Sequence, residues 1–223
     1  MPNLPSSLTK AATTVVTALL AVLCGIALVL ASTVPARAAT TYTPTGGPSV
    51  TFVGTSISFT DIPAAQTFAC TTFNLHGSVT SPGVSRAYGA SAITFSTITA
   101  GGCSNPLCGS VSPTPSGTWG FAITGDPVSG VWPARLTNVR LQLGCGSSCV
   151  FTLTGAVNGK FNASTNRFTP NSGASGLVIA SSPAPTEALC VTLDRQAGAD
   201  VAVGGYWTVT VPVGYPAFAV SNP

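Results

Sequence analysis

Apolar and polar residues alternate with a period of two over most of the chain beyond residue 48, most clearly from Leu136 to Phe168. Val139, Leu141, Leu143 and Cys145 fall on one face of an extended segment, and Asn138, Arg140 and Gln142 on the other. That is the pattern of a half-buried strand. After Cys149 the alternation resumes, with Phe151, Leu153, Gly155 and Val157 on one face and Thr152, Thr154 and Ala156 on the other. The spacing predicts two strands closed by a tight turn between Cys145 and Cys149.

The same reading extends in both directions. Val50 and Phe52, then Ile57 and Phe59, alternate with Thr and Ser across Gly54, which predicts two short strands or one bulged strand. Phe68 and Cys70 share a parity that Phe73, Leu75, Gly77 and Val79 then reverse, so a bulge is expected near Thr71-Thr72. Ser81-Pro82-Gly83 marks a turn, Ala92 to Ala100 a strand rich in β-branched residues, and Trp119, Phe121 and Ile123 another. Gly101 to Gly117, rich in Gly, Ser and Pro, has no periodicity and reads as a long loop. Beyond the central hairpin, a turn over Asn162 to Asn166 with a bulge at Gly159 is preferred to a turn at Asn158-Gly159. Short strands are expected at Gly176 to Ser181 and Ala188 to Asp194, and a long one at Val201 to Val213.

Nowhere past residue 38 do apolar residues recur at helical spacing over three turns, so almost no helix is expected. About eight to ten short strands with turn signals between them argue for a sandwich or a barrel. The expectation taken forward is an all-β, antiparallel β-sandwich, Ig-like or jelly-roll-like, forming one domain over residues 49–223 behind a flexible lead over residues 39–48.

Residues 1–38 read as a signal peptide: Lys10 precedes an uncharged run that ends in Ala36-Arg37-Ala38, a small-x-small cleavage site. The run is also long enough for a retained membrane anchor, the alternative carried with it. Cys24 lies inside the run after Leu23, a poor setting for lipidation. Secretion or attachment to the cell envelope follows from either reading.

Beyond Ala38 the chain carries Arg86, Arg135, Arg140, Lys160, Arg167 and Arg195 against Asp61, Asp126, Glu187, Asp194 and Asp200. This scattered, balanced charge offers no electrostatic footprint for nucleic acid. With so few charges, Thr, Ser, Asn and Gly must face water, which suits an extracellular surface or an assembled state.

Six cysteines follow residue 38, an even number that reads as a disulfide framework in an exported chain. Local spacing pairs Cys103 with Cys108 and Cys145 with Cys149, leaving Cys70 to Cys190. One histidine in the whole chain fits no zinc pattern, and no metal or cofactor is expected.

Candidates for chemistry are few. His76 is the only side chain suited to activating a nucleophile, and its place in the alternation makes it an outward strand residue. Gly173-Ala174-Ser175-Gly176 lacks the spacing of a nucleophile elbow and reads as a turn. The five acids sit beside turn formers, where solvation or capping explains them better than glycoside hydrolysis. Asn162-Ala163-Ser164 fits the glycosylation pattern. Trp132 and Tyr206 are the candidate platforms for a sugar ring, while Trp119 and Trp207 read as core.

Phe68-Ala69-Cys70, Trp119-Gly120-Phe121, the Leu-Gly-Cys-Gly run at 143–146 and the strand from Phe151 to Gly159, behind a signal segment, resemble small secreted bacterial β-proteins, including the alkane-oxidation activator (PraB-type) family. The Ala, Thr and Gly bias is similar to exported proteins of high-GC actinobacteria. The resemblance implies export and an envelope-linked accessory role, and it carries no functional residue.

The expectation is therefore a non-enzymatic, exported or envelope-associated protein with a structural, adhesive or accessory role. Its expected partners are envelope polysaccharide or copies of itself, with membrane contact only through an uncleaved N-terminal segment. A carbohydrate-binding module and a hydrolase without recognisable motifs are the alternatives.

Overall fold

The computed structural model describes residues 39–146, 149–181 and 188–223; the N-terminal segment and Glu187 lie outside them. Ala39–Pro223 forms one compact unit. Its strands are β1 (Thr41–Thr45), β2 (Ser49–Asp61), β3 (Gln66–Val79), β4 (Arg86–Ala87), β5 (Ser91–Asn105), β6 (Gly109–Pro115), β7 (Trp119–Ile123), β8 (Val131–Cys145), β9 (Cys149–Asn162), β10 (Arg167–Pro170), β11 (Ala174–Ser181), β12 (Asp200–Thr210) and β13 (Ala219–Ser221). Among the described residues one helix, α1 (Ala188–Leu193), precedes β12.

The expected sandwich is wrong: the main sheet closes into an eight-stranded barrel. β2, β3 and β5 lie side by side, β8 pairs with β9, and β12 pairs back onto β2 from Thr210↔Thr51 to Val201↔Asp61. Two staves are each built from two strands laid end to end. β6 and β7 both bridge β5 to β8, and β10 and β11 both bridge β9 to β12. The alternation of apolar and polar positions is the same in a sandwich and a barrel; what differs is whether the last strand reaches the first. Here the chain's last long strand does.

Inward positions fill the barrel. Phe52 packs edge-on against Phe95 and Phe121, and Phe121 against Phe161, Phe168 and Phe218. Phe73 meets Phe59, Trp119 and Trp207. Such offset ring pairs stabilise beyond the area they bury. Gly54 and Gly159 make room for this column: a Cβ at Gly54 would lie 2.3 Å from the Phe73 carbonyl oxygen, and one at Gly159 2.8 Å from the Phe168 ring. Outward positions such as Thr51, Thr67, Thr99 and Arg140 are polar. The barrel is apolar inside and polar outside, the reverse of a lipid-spanning barrel.

Several local expectations change. Thr41–Thr45, expected within a flexible lead, is strand β1, paired with β4 and β13 in a small second sheet, and Tyr42 is fully buried. Gly101 to Gly117 is mostly strand, because β5 runs on to Asn105 and β6 returns from Gly109. Asn105 makes that turn, its side-chain oxygen accepting from the Leu107 and Cys108 amides. The bulge expected at Gly159 does not form, since Gly159 pairs in register with both Ala134 and Pro170; the central hairpin instead carries a bulge at Thr137-Asn138, between Leu136↔Val157 and Val139↔Gly155, with Asn138 at φ 56°. Ala188 to Asp194 forms α1 and a turn rather than a strand.

All six cysteines are bridged, but none of the expected pairs forms. The bridges are Cys70–Cys103, Cys108–Cys145 and Cys149–Cys190. Cys145 and Cys149 do lie opposite each other in the ladder. The hairpin already holds them together, and their sulfurs reach instead to the β5–β6 turn and to α1. All three bridges staple the same end of the barrel, and three disulfides fit an oxidising, extracellular compartment.

Candidate functional site

The residues singled out from sequence are dispersed. His76 lies half-buried on the outer wall of β3, its Nδ1 3.2 Å from the Thr51 hydroxyl and its Nε2 3.4 Å from that of Thr99. Asp126 sits in the β7–β8 connection, where its Oδ1 accepts from the Tyr88 hydroxyl at 2.6 Å and from the Asn222 amide at 3.2 Å. The histidine and this carboxylate have separate partners, so they form no acid–base pair. Ser175, expected in a turn, begins β11 fully buried and donates to the Val201 carbonyl at 2.6 Å. The Asn162 side chain accepts from the Ser164 amide and hydroxyl and from the Thr165 amide, capping the β9–β10 turn.

Asp61 is no solvated strand end. It is buried against Arg195, which also lies over the rings of Phe68 and Phe151 and plugs the stapled end. Burial pulls the Arg195 guanidinium below its ordinary pKa, against the opposing charges of Asp61 and Asp194. Asp194 accepts from Gln196, and Asp200 starts β12 opposite Val178. Among the described residues no three His, Cys, Asp or Glu side chains converge to hold a metal.

The two candidate sugar platforms are occupied. Trp132 is 5% exposed, within the core alongside Trp119 and Trp207. Tyr206 is half-buried on the outer wall, with the Arg167 guanidinium 3.8 Å from its ring centre. A groove of about 600 Å³ lies on the outer side of the β8–β9 hairpin, lined by Val128, Val131, Pro133, Gly159, Lys160 and Asn171. The Lys160 ammonium and the Asn171 amide are the polar side chains of its lining.

The most distinctive place is a gap in the wall beside β5. The β5–β7 ladder ends at Phe95↔Trp119 and the β5–β6 ladder begins only at Cys103↔Val111. Between them Ser96 to Gly102 has no strand partner on that side among the described residues. The cause is legible in β6. The Ser116 amide donates to the Arg140 carbonyl, so even-numbered residues of β6 face β8 and odd-numbered ones face β5. The odd positions include Pro113 and Pro115, which have no N–H to give.

The same parity argument fixes what β5 exposes. The Val79 amide donates to the Pro48 carbonyl, so odd residues of this part of β3 face β2 and even ones face β5. His76 and Asn74 therefore bond Thr97 and Thr99. The main-chain groups of Ile98 and Ala100 point the other way, into the gap. Their side chains are half-buried, as are those of Pro113 and Pro115 across from them. Sequence reading took Ala92 to Ala100 for a strand, as it is, and Gly101 to Gly117 for a loop; the signal it missed was the Pro-x-Pro spacing of β6 facing a β-branched strand.

No family model, no curated protein and no solved structure matches this chain.

Proposed function

We propose that this protein is an exported, envelope-associated and non-enzymatic β-barrel with a structural, adhesive or accessory role exercised through its outer wall. The observation that carries this reading is the barrel's filled interior. Small barrels either pack their lumen with side chains or hold a ligand in it, and here the aromatic column from Phe218 through Phe121 and Phe52 leaves the wall as the working surface. That wall is rich in uncharged Thr and Ser and is interrupted beside β5. The resemblance to PraB-type secreted proteins supports the same reading.

The test is fractionation of the producing cells followed by binding of the purified native protein to isolated envelope. Retention by the envelope fraction, unchanged by Asp126→Asn and His76→Ala, is the expected result. A protein that stays in the medium and binds no envelope fraction would overturn the reading.

A further inference from the structure

Resting on the envelope-associated reading, we infer that the end of the barrel opposite the disulfides docks onto an anionic lipid surface, with Val84, Val128, Val213 and Tyr215 entering the interface and Lys160 meeting a lipid phosphate.

The strand register brings these residues to one end. β3 arrives there at Val79, opposite Ile93 near the start of β5, and β8 leaves it at Val131, opposite Asn162 at the end of β9. β12 arrives at Thr210, opposite Thr51 near the start of β2. The connections after Val79, before Val131 and after Thr210 therefore all project from this end, and each turns on an apolar residue. The Val84 amide donates to the Ser81 carbonyl, Val128 and Val131 exchange both main-chain bonds, and the Tyr215 amide donates to the Pro212 carbonyl around Val213. The turns are also tied together. The Gly83 amide donates to the Pro44 carbonyl and the Gly47 amide to that of Pro216, while the Tyr88 hydroxyl reaches both Asp126 and Asn222.

A single exposed apolar side chain is ordinary on a protein surface. Here Val213 is fully exposed, Val128 is 75% exposed, and Val84 and Tyr215 are more than half exposed, all on turns of the same end. Tyr215 adds a ring with a polar tip, the kind of side chain that settles at headgroup level.

Charge selects the partner. Arg86, Arg135, Lys160 and Arg167 lie on the strand segments next to this end. Asp126 is the one carboxylate there among the described residues, and it already accepts from Tyr88 and Asn222. The stapled end exposes Ile62, Leu107 and Val191, but it carries Asp194 and Asp200, and its Arg195 is neutralised by Asp61. Cations are drawn to anionic lipid and carboxylates are repelled, so charge decides between the two ends. Lys160 is exposed, makes no ion pair among the described residues, and shares its groove with Val128, Val131 and Pro133. An ammonium beside an apolar wall matches a phosphate headgroup above an acyl chain. Apolar tips on separate turns suit a fluid interface, which takes up each one without a complementary surface. With a polar outer wall, the barrel lies on the membrane rather than across it.

The experiment uses the native protein with its disulfides intact, and vesicles of phosphatidylcholine either pure or with about 30% phosphatidylglycerol. Cosedimentation with the anionic vesicles is expected, and little with the pure ones. Lys160→Glu and Val213→Asp, both at exposed positions, are each expected to weaken binding by about tenfold or more, with near-UV circular dichroism reporting that the barrel is intact. Tyr215→Trp adds one exposed indole to a chain whose own tryptophans are buried. Its emission is expected to shift to the blue on anionic vesicles and to be quenched by brominated acyl chains. That signal reports this end whether or not residues 1–38 are retained.

No preference for anionic vesicles, binding indifferent to both Lys160→Glu and Val213→Asp, or a Tyr215→Trp indole that stays in water on bound vesicles would overturn the inference. Failure here and failure of the broader reading are separable. Envelope retention of a protein that ignores vesicles would sink only the lipid contact, and vesicle binding by a protein that no envelope fraction retains would sink only the envelope association.

Discussion

Arg195 Nη1 lies 2.9 Å from Asp61 Oδ2, with each side chain 1% exposed. The pair joins the segment after α1 to the end of β2 and closes the stapled end of the barrel. Burial makes both charges costly alone, and each is tolerable because of the other. Asp61→Ala should therefore destabilise by about 3–5 kcal/mol, since it strands a buried guanidinium. The Asp61→Leu, Arg195→Met double variant should recover most of that loss. Urea denaturation of the three proteins checks this; a double variant as unstable as Asp61→Ala would show that the pair does more than cancel its own charges.

The disulfide connectivity makes a second prediction. The three bridges span 33, 37 and 41 residues of sequence, so the chain-entropy account assigns each a similar stabilisation of about 4 kcal/mol. No single bridge dominates, in contrast to the long Cys70–Cys190 loop that local spacing implied. Replacing Cys149 and Cys190 together by Ala should cost about as much as replacing Cys70 and Cys103 together. Peptide mapping of the unreduced protein should recover the three observed pairs, and denaturant midpoints of the two double variants should agree within about 1 kcal/mol.

The parts of this architecture that were legible in the sequence are those decided by neighbours in the chain. The β8–β9 hairpin, the reversal of burial parity at Thr71-Thr72 and the inward Trp119 and Trp207 all follow from alternation, and the structure has each of them; the bulge expected at Thr71-Thr72 is not there, since the β3–β5 ladder steps evenly from Cys70↔Cys103 to Thr72↔Gly101 and shifts only between His76 and Gly77. Closure of the barrel depends on β12 meeting β2, residues far apart in sequence, and alternation carries no information about that. The cysteine pairs failed for the same reason: Cys190 is brought to Cys149 by α1, a helix too short to show a periodicity. Asp61 looked like an ordinary strand-end acid because its partner, Arg195, is set by tertiary packing. The gap beside β5 was half legible. The Pro-rich character of Gly101 to Gly117 was visible, but the effect of Pro113 and Pro115 on β5 needs the register of two ladders.

Close packing at the glycines is also testable. A Cβ at Gly159 would lie 2.4 Å from the Thr169 carbonyl oxygen as well as against the Phe168 ring. The backbone oxygen belongs to β10, which is tied to both β9 and β12, so it has little freedom to give way. Gly159→Ala should destabilise by roughly 1–3 kcal/mol, the cost of overpacking. Gly83→Ala is the contrast, since a Cβ there meets nothing within 4 Å and only its φ of +79° opposes the change. Denaturant midpoints should place Gly159→Ala below Gly83→Ala; the reverse order would mean that the β9–β10 contact is looser than drawn.

All three tryptophans of the chain are buried, at 1%, 5% and 1% exposure for Trp119, Trp132 and Trp207. Fluorescence of the folded protein should accordingly be blue-shifted and poorly quenched by iodide. Trp132→Ala should lower stability by about 3–5 kcal/mol, the range for emptying a large aromatic site in a core. Soluble glycans should leave the emission unchanged. A Trp132 signal that is readily quenched, and protected by a polysaccharide, would restore the carbohydrate-binding reading.

At the opposite end from the disulfides, Tyr88 ties the β4 region to the β7–β8 connection and to the C-terminal segment, its hydroxyl lying 2.6 Å from Asp126 Oδ1 and 3.1 Å from Asn222 Oδ1. Burial, then the hydrogen bond to Asp126, then the charge of Asp126 push the phenol from 10.0 up to about 12. Because the folded value lies above the unfolded one, the stability linked to this proton is fully present below pH ~10 and is lost as pH rises toward ~12. Ultraviolet difference titration of wild type against Tyr88→Phe should isolate one phenol with a midpoint near 12. Asp126→Asn should lower that midpoint without returning it to the ordinary value, because burial, the larger cause, remains. A Tyr88 midpoint at the ordinary phenol value in the wild type would mean that the hydroxyl faces water and that the C-terminal segment is held without it, by the pairing of β13 with β1, by Phe218 and by the Asn222–Asp126 hydrogen bond.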